Sequence, residues 1–125
     1  MSIDIVPLLL ALGRVLLGGL FVVGGIHHFF IIPQLTEVMA ARGVPFPRAV
    51  LIAGSIFQAA AGALLMLGYF VPAVAFGLVV FTVAASVMLV NFWDQEGPAR
   101  QTARNVFQSN LAIIGGLLVA AAEAM

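Results

Sequence analysis

Three stretches of the chain contain no Asp, Glu, Lys or Arg: residues 15–36, 49–93 and 105–122. A helix that crosses a bilayer needs about 20 largely apolar residues. The first and last stretches each supply one such helix, but the middle one is too long for a single span. Near its centre lies LGYFVP, residues 67–72, in which Gly68 and Pro72 punctuate the chain. It divides into two helices joined by a tight turn. The pattern predicts an all-α membrane protein, with four transmembrane helices in an up-and-down bundle. The spans are placed at 7–30, 49–68, 72–93 and 106–123, within a single domain covering 1–125.

Composition supports lipid as the solvent. Hydrophobic residues make up 63% of the 125 and charged residues only 8%, against about 25% charged in soluble domains. All basic residues are arginines, the formal net charge is zero, and no basic cluster exists. A nucleic-acid partner is therefore not expected. The chain has no cysteine, which excludes disulfides, thiolate metal sites and thiol redox chemistry. The opening MSIDIVPLLLALGR has no basic segment ahead of its apolar run. It reads as a retained span rather than a cleaved signal.

Two connections are longer than turns. The first, PQLTEVMAARGVPFPR at 33–48, places Leu35, Val38 and Met39 on one side of a short interfacial helix. Its VPFP is expected to be extended, because a residue before proline avoids the helical region. The second, DQEGPARQTARN at 94–105, is expected to be a loop broken at Gly97 and Pro98. Arg100 and Arg104 stand one helical turn apart within it. Arg42, Arg48, Arg100 and Arg104 all fall in these two connections, on one side of the membrane. The positive-inside rule makes that side cytoplasmic and both termini periplasmic. The alternative is that the arginines follow a partner protein.

Polar residues within the spans mark candidate sites. Arg14, Gly18, Phe21, Gly25 and His28 follow spacings of 4, 3, 4 and 3 and share one helical stripe. Gly54, Gln58 and Gly62 share a face of the second span, and Gly77, Phe81, Ala84, Met88 and Asn91 a face of the third. Such stripes of small residues suit helix packing. Counting depth from the span ends sets Arg14 level with Gln58, as an intramembrane polar pair. The alternative is that Arg14 snorkels to the interface. At the other end His28, Asn91 and Asn110 fall level with one another, with Trp93 at the rim. This is a candidate ligand-binding site for a polar head with an apolar tail, such as a quinone. The alternative there is helix-end side chains that bond water. His27 points about 100° away from His28, so the two cannot share one metal ion. No intramembrane carboxylate supplies a further ligand or a proton relay, and no metal site is expected.

With these residues in view, the chain resembles the DoxX family of small four-helix membrane proteins. The likeness runs from ALGRVLLGGLFVVGGIHHF through RGVPFP, FQAAAGALLMLGYF and VNFWDQEG to FQSNLAIIGGLL. It implies a bacterial inner-membrane protein. Some relatives are subunits of membrane oxidoreductases, and others join soluble redox enzymes. Arg14 matches an arginine typical of the family's first span, His28 a position often held by lysine or histidine, and Asn110 an asparagine before a glycine pair. Gln58 stands where relatives often have glutamate, Asn91 where histidine is common and Ser109 where lysine is common. Val71 and Pro72 replace a frequent Thr-Arg turn. The resemblance implies an accessory or anchoring subunit of a membrane redox assembly that is not catalytic alone and shapes a quinone-like site. The alternative is a small channel or transporter working as a homodimer; a third reading is a structural membrane protein without a ligand.

Overall fold

A computed structural model describes residues 2–89, 93 and 95–125, with side chains from residue 5 onward. The described residues form helices α1 (Ser2–Phe30), α2 (Ile32–Ala41), α3 (Pro47–Leu67), α4 (Val71–Leu89) and α5 (Gly97–Glu123), with no strand among them. α1, α3, α4 and α5 are long and apolar enough to cross a membrane. They form the up-and-down bundle, with α2 as the short helix between the first two spans.

Glycine decides which helices meet. Gly18 and Gly62 lie face to face across α1 and α3. A Cβ on Gly18 would collide with the Gly62 carbonyl oxygen, and one on Gly62 would stand 2.6 Å from the Gly18 oxygen. Lower down, a Cβ on Gly25 would lie 2.9 Å from the Ser55 oxygen. The backbones approach this closely because no side chain separates them. α3 and α4 interlock differently. The Phe57 ring lies over Gly77, and the Phe81 ring lies over Gly54. The two rings meet at 5.9 Å, tilted by 43°. α5 packs on α4 through Ala103, Leu117 and Ala121 and touches α1 only lightly.

The turn after α3 is built as its sequence suggests. Gly68 adopts the left-handed conformation at φ 82°. Its N–H donates to the Leu65 oxygen at 3.2 Å, and the Tyr69 N–H donates to the Leu64 oxygen at 3.0 Å. Gly68 is thus the C-terminal cap of α3.

Several boundaries and faces differ from expectation. α5 starts at Gly97 rather than 106, so most of the expected loop is helix. Pro98 fits in the first turn, where its missing N–H costs nothing. Residues 90–92 and 94 lie outside the described residues, so the lower end of the third span is described to Leu89. VPFP is not extended throughout. Phe46 takes a left-handed conformation at φ 48° and ψ 55°, and its carbonyl accepts the Val50 N–H at 3.0 Å. Phe70, before α4, does the same at φ 53° and accepts from Val74 at 2.9 Å. A non-glycine residue in this region costs about 1–2 kcal/mol. Each phenylalanine sits where the chain reverses into a helix that opens with Pro47 or Pro72. In α2 the packed face is Ile32, Leu35 and Met39, while Val38 is exposed. In α4 the buried face is Val71, Ala75, Leu78, Thr82 and Ser86. The expected stripe is packed only in part: Gly77 and Phe81 meet α3, while Ala84 and Met88 are exposed.

The core is layered along the bundle. Phe21, Ala61, Leu65, Leu78, Leu117 and their neighbours form an apolar cluster toward the termini. Met39, Val44 and Leu51 form a second cluster around α2 at the opposite end. Four buried polar side chains, Ser55, Gln58, Thr82 and Ser86, lie between them on α3 and α4.

Candidate functional site

The polar layer is knitted across helices by hydrogen bonds. His28 Nδ1 shares one with Ser55 Oγ at 3.0 Å, joining α1 to α3. Asn110 Nδ2 donates to Ser86 Oγ at 2.9 Å, joining α5 to α4. Gln58 Nε2 donates to the Phe21 carbonyl oxygen at 3.1 Å. All three bonds join helices far apart in sequence. Such bonds are favoured inside a membrane, where no water competes for the groups.

His28 and Asn110 both reach this layer, and each is held by a serine of its own neighbouring helix. Asn91 lies outside the described residues. Trp93 is exposed, and its ring meets Phe107 edge-on at 5.8 Å, so it flanks α5. His27 is exposed, consistent with the turn that separates it from His28.

Ser55, Ser86 and Thr82 escaped the sequence reading. Ser55 and Ser86 are the partners of the two predicted side chains, and Thr82 lies one turn from Ser86 on the same buried face. The signal was present in part: Ser55 lies three residues before Gln58, on the face that meets α1. Thr82 Oγ1 is buried without a hydrogen-bond partner. An unsatisfied buried hydroxyl costs about 1–3 kcal/mol. It is therefore a ready donor or acceptor for a group entering the layer.

The Arg14–Gln58 pair is corrected by the structure. Gln58 spends its amide on Phe21. The Arg14 guanidinium instead lies against Gly68, with Nη2 3.4 Å and Nε 3.5 Å from where a Cβ would stand. Gly68 is ten residues beyond Gln58, or about 15 Å along the helix. The depth of the two Cα atoms was a poor guide, because a long side chain reaches several ångströms toward the interface. The guanidinium settles at the C-terminal end of α3, where the helix dipole attracts a cation.

The layer contains neutral donors and acceptors. Among the described residues no three His, Cys, Asp or Glu side chains gather as a metal site would require. Its side chains bond one another and the backbone across helices.

The protein-family model described as DoxX matches residues 9–91. Among curated proteins, the chain is similar to the inner membrane protein YphA of Escherichia coli K12. The two are 26% identical over 115 residues, spanning 92% of this chain and 82% of that protein. No solved structure matches the chain.

Proposed function

Because the chain belongs to the DoxX family of integral membrane proteins, we propose that it is an inner-membrane accessory subunit of a redox assembly. Its polar layer takes the head of a quinone-type amphiphile, and its arginine-bearing end anchors a soluble or membrane redox partner. The observation that carries this reading is the unpartnered Thr82 hydroxyl, buried beside Ser86 in a layer that His28 and Asn110 also enter. A quinone carbonyl accepts hydrogen bonds, and Thr82 has one to give. Arg42, Arg48, Arg100 and Arg104 lie at the same end of the bundle, and the likeness to an inner membrane protein supports the location. Loops rich in arginine face the cytoplasm, which leaves both termini periplasmic.

The experiment is thermal unfolding of the purified protein with and without a short-chain quinone. Wild type and His27→Ala are expected to gain several degrees with the ligand. His28→Ala and Thr82→Val are expected to lose that gain. Thr82→Val alone is expected to keep or raise the melting temperature, since it removes an unsatisfied hydroxyl. A wild-type protein that ignores the quinone defeats the reading.

The alternative, a small homodimeric channel or transporter, draws support from Gly19 and Gly115. A Cβ on either would meet nothing within 4 Å, so these surfaces are open to a second copy.

A further inference from the structure

A groove of about 600 Å³ opens between α1 and α5, over the start of α4, at the end of the bundle that carries both termini. Leu9, Leu16, Leu17, Val71 and Val119 make its walls apolar. Among the described residues, the charged side chains that line it are Arg14 and Glu123. Arg14 Nε is buried and finds no hydrogen-bond partner in the chain. Glu123 is exposed in the last turn of α5.

Both charges stand nearer the surface than the apolar floor. Gly116 of α5 faces Leu17 of α1, which fixes the register of the two helices. Counted from that level, the Glu123 backbone is about 10 Å nearer the surface and the Arg14 backbone about 5 Å. The groove therefore presents an apolar floor, with the Arg14 guanidinium and the Glu123 carboxylate above it toward the surface.

That arrangement is the complement of one kind of molecule. An acyl chain fits the floor, a phosphate fits the arginine, and an ammonium group with N–H donors fits the carboxylate. A headgroup with net negative charge would meet Glu123 unfavourably. A quaternary ammonium has no N–H to donate, and the lining has no aromatic ring to hold it. We propose that the groove is a binding site for a zwitterionic phospholipid of the ethanolamine class, with its phosphate on Arg14 and its ammonium on Glu123. The apolar cluster near the termini separates this site from the polar layer, so it stands or falls independently of the function proposed above.

Gly13 provides a clean probe. It lines the groove, and a Cβ there would meet nothing within 4 Å. Gly13→Leu therefore extends a side chain into the groove from a position where its Cβ meets nothing, and replacing glycine within a helix favours folding. The test is lipid binding to the detergent-purified protein by native mass spectrometry. The probes are phosphatidylethanolamine, phosphatidylcholine and phosphatidylglycerol with identical acyl chains. Wild type is expected to bind the ethanolamine lipid about fivefold more tightly than the other two, as one partly exposed ion pair provides. Glu123→Gln should erase that preference, and Arg14→Gln should weaken all three lipids. Gly13→Leu should also weaken all three, with an unchanged or higher melting temperature, which preserves the test if Arg14→Gln folds poorly. Equal binding of the three lipids, tighter binding of the glycerol lipid, or full binding by Gly13→Leu overturns the proposal.

Discussion

Gln58 shows how one side chain commits to a partner. Its amide lies in the α1–α3 interface, donates to the Phe21 oxygen and sits where Gly24 leaves room; a Cβ on Gly24 would come within 2.7 Å of Nε2. Gln58→Leu is expected to lower stability by about 1 kcal/mol, the usual worth of an interhelical hydrogen bond in a membrane protein. Gln58→Glu is expected to cost more, a few kcal/mol, because an ionised carboxylate brings charge to the bundle interior. The arginine that would neutralise it is engaged at the far end of α3. Unfolding in detergent distinguishes the two variants, and a stabilising Gln58→Glu would restore the Arg14 pairing that the structure replaces. Arg14 also marks where sequence reasoning stopped. Its depth was readable from spacing, but its partner was set by the reach and direction of a flexible side chain, which spacing does not encode.

The helices differ in how openly they declare themselves. Four spans were legible because charge is absent over long intervals. The α1 face was legible because glycine and polar residues recur at helical spacing along a single stripe. The α4 face was not, because that helix is apolar all round and periodicity carries little information there. Its buried Thr82 and Ser86 outweighed the small-residue stripe. The start of α5 was hidden for the opposite reason: its first turns are polar, so no apolar period announces them. The α1–α3 seam gives the sharpest prediction among the elements. Gly18→Ala forces a methyl group against the Gly62 carbonyl oxygen and the Met66 side chain. It is expected to cost about 1–3 kcal/mol, as overpacking does, despite alanine's better helix propensity. Gly19→Ala, one residue away with nothing in reach, is expected to be neutral or mildly stabilising. Melting temperatures of the two variants make the comparison, and equal effects would mean that the seam is looser than described.

Across the whole bundle, polarity changes in layers. The apolar cluster near the termini and the cluster around α2 enclose the polar layer between them. The orientation proposed above rests on charge: Arg42, Arg48, Arg100 and Arg104 sit at one end of the bundle. A reporter that fluoresces only in the cytoplasm, fused after Met125, is expected to stay dark. Bright cells would invert the protein in the bilayer and leave its helix packing untouched.

The glycine seam also sets an order of assembly. α1 packs chiefly on α3, yet α2 and its connection are synthesised between them. At roughly 5–20 residues per second, the ribosome completes α3 roughly 2–7 s after α1. During that interval the newly inserted first helix carries its bare backbone groove, Gly18 and Gly25 included, with no protein surface to fill it. Lipid chains or the insertion machinery must occupy the groove until α3 arrives and displaces them. A chain that ends before Pro47 therefore lacks the surface on which α1 chiefly packs.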